Sequence, residues 1–203
     1  MTSIKNNDLR AKAIIDRTKR LLELDDLKTA MQVFQRINGI EMSDKKLFED
    51  FRHTELSMLA AKRDFRSLEQ QLKVVTFSTD QKNEKIYFTA LINESVGNIV
   101  EAEKNYNWLS SANPYFDEAV VESARFFRTT SKERMKAYTI LVNAVQANPM
   151  SIKILKAYGL EAFRMGFDDY SQSAFDRLVE LIGQKAFTEF LFENRKNLTP
   201  QNN

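Results

Sequence analysis

The sequence predicts an all-α fold of about five stacked helix pairs, closed by a C-terminal helix. Three observations predict it. Apolar residues recur at a spacing close to 3.6 along nearly the whole chain. The 203 residues include only 5 Gly and 3 Pro, too few turn formers for a sheet-rich fold. The phrase Ala-Asn-Pro occurs at 112–114 and again 35 residues later at 147–149, the length of a helix–turn–helix repeat.

Residues 8–23 read as a first helix, with a stripe of Leu9, Ala13, Ile14, Arg17, Leu21 and Leu22. Asp25 and Asp26 break it and cap the next, which carries Leu27, Ala30, Met31, Phe34 and Ile37 and ends at Asn38–Gly39. Ser43 and Asp44 cap a long helix with Leu47, Phe48, Phe51, Leu56, Leu59 and Ala60 inward. A helix after Asp64 carries Phe65, Leu68, Leu72 and Val75. The strand-like stretch 74–77 is short and reads as a frayed helix end.

From residue 84 the pattern sharpens. Ile86, Phe88, Ala90 and Leu91 lie on one helix, and Ala102, Tyr106 and Leu109 on the next, with Gly97 between them and Pro114 after. Residues 116–127 and 135–145 form a further pair, broken at Thr129–Ser131 and closed by Pro149. Residues 151–165 and 170–182 form the last pair, with turns at Gly166 and Gly183. A helix over 185–196 caps the open end, and 198–203 reads as a disordered tail.

Counting back from each proline aligns Ala102 with Ala137, Tyr106 with Leu141 and Leu109 with Ala144. One unit on, the frame gives Ser171, Phe175 and Leu178, with Gly159 where Ala90 stood and Gly166 where Gly97 stood. Backward it gives Ala30, Phe34 and Ile37, and more loosely Ser67, Gln71 and Val74. This frame resembles the tetratricopeptide repeat, with units near 11–42, 43–80, 84–114, 118–149 and 152–183 in a single domain over 1–197, and the resemblance implies a right-handed α-α superhelix. Arg125, Ser171 and Gln71 depart from it. The physical sense of the pattern is packing: small residues let two helices approach, and each pair buries its apolar face only against a neighbour.

Catalytic and metal chemistry find no motif. Cys is absent and His53 is the sole histidine, so thiol nucleophiles, Cys-ligated zinc and His–His sites are excluded. There is no phosphate loop or nucleophile elbow. The carboxylate pairs Asp25–Asp26 and Asp168–Asp169 sit at expected helix starts, where capping explains them. The expectation is therefore a non-enzyme with no cofactor and no metal. Lys+Arg 30 against Asp+Glu 28 gives +2, no footprint for nucleic acid. No apolar run spans a membrane and no signal peptide is visible, so a cytoplasmic location is expected, with a periplasmic one open for a module of a larger exported chain.

The resemblance implies a scaffold or adaptor that holds a protein or peptide in a concave groove lined by the first helix of each pair. By position these residues are Lys12, Lys19, Arg52, Leu56, Glu84, Tyr87, Leu91, Glu122, Phe126, Lys153, Lys156 and Leu160. The carboxylate-gripping set of some family members is absent: the equivalent positions read Tyr87 and Leu91, Ser123, and Lys153 and Ala157. Trp108 is weighed between inter-repeat core and partner anchor, with core favoured. Of Phe126 and Phe127, one is expected in the core and the other facing the groove. A helical-repeat nucleic-acid binder, a regulatory domain fused to a signalling or envelope protein, and a homodimer stay open as alternatives.

Overall fold

The computed structural model describes residues 2–195, and among these there is no strand. The helices are α1 (Thr2–Glu23), α2 (Leu27–Phe34), α3 (Lys45–Ala61), α4 (Phe65–Leu72), α5 (Lys82–Ser95), α6 (Ile99–Ala112), α7 (Asp117–Thr129), α8 (Arg134–Ala147), α9 (Ile152–Arg164) and α10 (Asp168–Glu193). Short 3-10 turns follow α2 (Gln35–Ile37) and precede α5 (Thr79–Gln81). Gly183, at φ 80° and ψ 158°, breaks the helical path inside α10. The expected tail at 198–203 and the last residue of the expected cap lie outside the described residues.

The chain divides into two compact units, between Ala102 and Glu103. In the first unit α1 packs on α2, α3 on α4, and α3 also lies against α1 and α5. Ala11, Ile15, Ile37 and Leu47 form one cluster there, with Ile14, Ile40, Met42 and Phe51 at its edge. In the second unit α7 packs on α8, α9 on α10, and α9 also lies against α7 and α8. Its centre holds Tyr106, Leu109, Phe126, Phe127, Ile154 and Leu178, all without appreciable exposure. Thus, within each unit, the first helices of successive pairs lie side by side.

Helices of eight residues such as α2 and α4 are too short to persist alone. Caps and burial hold them. Asp26 accepts from Thr29 N–H at 3.1 Å and Asp64 from Ser67 N–H at 3.2 Å, each satisfying an orphan donor of the first turn. Asp44 does the same for α3 through Leu47 N–H, while Ser43 donates N–H and Oγ–H to Asp8.

The turn within each pair recurs in the backbone. Asp25, Arg63, Gly97, Lys132 and Gly166 all have φ between +58° and +79° and all fall just before or near the start of the second helix. In four of them the next N–H reaches back five residues: Asp26 to the Leu21 carbonyl, Asp64 to Leu59, Asn98 to Asn93 and Phe167 to Ala162, at 2.8–3.0 Å. This is the bond pattern of a Schellman helix ending. The fourth turn is one residue longer, with Glu133 N–H bonding Phe127 at 2.7 Å.

That extra residue removes one departure from the sequence frame. Counted past it, buried Ala124 takes the place assigned to Arg125, which is half-buried and ion-paired with Glu122. The second unit of the frame is also corrected by one residue. Five places after Arg63 comes Leu68, fully buried like Ala30, Ala102 and Ala137 at the same offset, whereas Val74 of the looser alignment is 64% exposed. Residues 75–78 are irregular chain, not a frayed helix.

Gly159 shows what the small position does. A Cβ there would stand 2.4 Å from Cε1 of Phe175, so α9 and α10 approach to a distance that only glycine permits with that ring in place. Ser171 Oγ donates to the Gly159 carbonyl at 3.0 Å across the same contact. Phe175 in turn meets Phe187 and Phe190 beyond the Gly183 break. Two expected inward positions turn out: Leu9 and Phe48 are exposed, and the buried stripe of α1 is Ala11, Ile15 and Thr18.

Candidate protein-binding faces

The residues expected to line a groove fall into three groups. Tyr87, Leu91, Leu56, Leu160 and Phe126 are buried, Phe126 at 0% exposure. They are corrected to core, because a side chain with no surface cannot meet a partner in this state. Phe127 is equally buried and lies edge-on to Phe126 at 5.3 Å, so neither ring faces a groove. Trp108 departs in the other direction: it is 47% exposed, not core.

The second group joins neighbouring first helices. Lys19 on α1 pairs with Asp50 on α3 at 3.2 Å. Glu84 on α5 meets His53 on α3, Nδ1 to Oε2 3.0 Å. Lys153 on α9 donates to Glu118 on α7. The third group holds the rest. Lys12 is exposed, Arg52 pairs within its own helix with Glu55, Glu122 pairs with Arg125, and the Lys156 ammonium lies 5.5 Å from the Phe190 ring centre.

His53 is buried, and both of its ring nitrogens face acceptors. Nε2 lies 3.2 Å from the Thr76 carbonyl, opposite the Glu84 contact. Only the doubly protonated imidazolium donates to both. The Glu84 hydrogen bond raises the His53 pKa above 6.5, with burial pulling the other way and losing. Phe77 closes the site edge-on at 4.9 Å.

Sequence reasoning missed a second charged seam. Arg128 Nε on α7 and Arg164 Nη1 on α9 both donate to Glu161 Oε2, at 3.1 and 2.9 Å. Glu161 is 3% exposed, and its Oε1 is buried without a hydrogen-bond partner among the described residues. Burial pushes the Arg128 pKa down, helped by Arg164, Arg125 and Arg134, while Glu161 holds it up. A signal existed: complementary charges spaced 31–35 residues apart, one repeat, at 19/50, 53/84, 118/153 and 128/161.

Farther along, Tyr138 stacks on Tyr158 at 5.8 Å and meets Phe167 at 4.9 Å, and burial raises the Tyr158 hydroxyl pKa. On α10 an open recess of about 460 Å³ is lined by Asp169, Gln172, Ser173, Asp176, Arg177 and Glu180. All six belong to one helix face. Among the described residues no group of three or more His, Asp or Glu is placed to hold a metal, and no helix is long and apolar enough to cross a membrane.

These faces define an all-helical protein whose helices pack in neighbouring pairs. No family model matches the chain, and no curated protein matches it.

Proposed function

We propose that the chain is a non-enzymatic scaffold, tetratricopeptide-like in its repeat, that holds a protein or peptide partner along the first helices of its pairs. The observation that carries this reading is the side-by-side packing of first helices within each unit, α1 with α3, α3 with α5, and α7 with α9. Such packing sets their polar faces in rows, and rows of mixed charge over a rigid core suit an extended segment with a polar rim. Tyr87, Leu91 and Phe126 serve that surface from beneath, as the packing that fixes it. Lys12, Arg52, Glu122 and Lys156 are the side chains that meet the partner.

The test is capture of partners from the native host by the intact chain and by two charge-reversed forms, K12E/R52E and K156E. Capture should fall in at least one form while circular dichroism and thermal unfolding stay unchanged. Equal capture by all three forms refutes the groove assignment.

A further inference from the structure

We propose that Arg128 and Arg164, clamped by Glu161, form a receptor for an oxyanion, a carboxylate or phosphoryl group carried by the partner. The inference rests on the reading of α7 and α9 as binding helices and specifies what they bind.

Two guanidinium groups share one carboxylate oxygen at 3.1 and 2.9 Å. Like charges are brought this close only because Glu161 sits between them. Each guanidinium has five N–H donors in a fixed plane. Arg128 places one of them on protein, its Nε, and Arg164 places Nη1, with no other hydrogen bond or ion pair from these two side chains among the described residues. Their side chains keep 28% and 17% exposure, whereas that of Glu161 keeps 4%. The arrangement therefore has a buried, charged floor and a rim of donors reachable from solvent.

The triad itself sets two guanidinium charges on one carboxylate. Arg125, one turn before Arg128, is paired with Glu122 and so adds little to that excess. The C-terminal ends of α7 and α9 offset part of this through their dipoles. An added oxyanion relieves the rest, and the planar donor fork matches carboxylate and phosphoryl oxygens in bidentate geometry. Behind the fork, burial keeps the interaction from being screened as a surface pair would be.

The alternative is that the triad only ties α7 to α9. The two differ in solution. In the intact, nitrogen-15-labelled chain, the Arg128 and Arg164 side-chain Nε–Hε resonances are followed by NMR. Glutarate and O-phosphoserine are titrated in turn, with sodium chloride at matched ionic strength as reference. Saturable shifts with at least one of the two probes are expected, and the tighter probe names the source as carboxylate or phosphoryl.

R128Q leaves Glu161 its bond to Arg164 and should weaken the probe about tenfold, the effect of one lost charged hydrogen bond. R164K keeps a charge on Glu161 but removes the fork and should also weaken it. Shifts that follow ionic strength alone, or that persist unchanged in R128Q, leave the triad as a tether and overturn the proposal. If capture depends on the groove charges while these resonances ignore both probes, this inference alone fails. If the probes bind and no partner is captured, the groove reading fails and the oxyanion site stands.

Discussion

The two units join their first helices by the same device in different chemistry. In the first, α3 meets α5 through a buried histidine whose ring nitrogens both face acceptors. In the second, α7 meets α9 through two arginines on one buried carboxylate. Guanidinium stays charged at every pH a protein meets, whereas imidazolium does not. The difference teaches that one seam depends on the protonation of an imidazole and the other does not.

The comparison is tested most severely at Glu161. E161A leaves two guanidinium groups facing each other over a buried gap and should cost about 3–5 kcal/mol in urea unfolding. A loss below about 1 kcal/mol would mean that the arginines do not depend on the carboxylate. Next is the close approach of α9 and α10. G159A sets a methyl against the Phe175 ring and should cost about 1–3 kcal/mol by overpacking. An unchanged midpoint would show that the ring moves aside freely.

The histidine seam is tested by pH. A raised pKa in the folded state means that His53 contributes fully below its unfolded value of 6.5, and that this contribution is lost as pH rises through the folded value. The melting temperature of the first unit should therefore fall as pH rises above 6.5, and H53Q should flatten that slope. A slope that H53Q leaves intact would assign the pH response elsewhere. The smallest effect belongs to Lys19 and Asp50, whose side chains are 43% and 49% exposed. K19M should change stability by less than about 1 kcal/mol, in contrast to the buried seams.

Much of the fold was legible because periodicity and caps act locally. Asp26, Asp44 and Asp64 cap their helices through N–H groups three residues on, an arrangement confined to a few residues of chain. The buried offset Ala30, Ala102 and Ala137 was legible for the same reason. The register at Leu68 was not, because it depends on a left-handed Arg63 that no residue type announces. The face of each first helix was the weakest reading. Tyr87 and Phe126 are equally plausible by spacing on either side of a helix, and only the neighbours decide which side is core. Arg128, Glu161 and Arg164 escaped because their meaning lies in a meeting of three residues across 36 positions of sequence.

The left-handed turns carry one more consequence. Two of the five are glycine; the others are Asp25, Arg63 and Lys132, each in a conformation that costs a residue with a Cβ roughly 1–2 kcal/mol. The hairpin is thus encoded by interval, not by letter: a backbone of one handedness, then a buried side chain five places later. For an engineer this separates two kinds of freedom. The identity of the turn residue is open to improvement, with glycine relieving the strain, whereas the count of residues around it is not. An extra residue in the turn changes which position of the preceding helix falls at the small site, as at Lys132, where the site moves from Arg125 to buried Ala124.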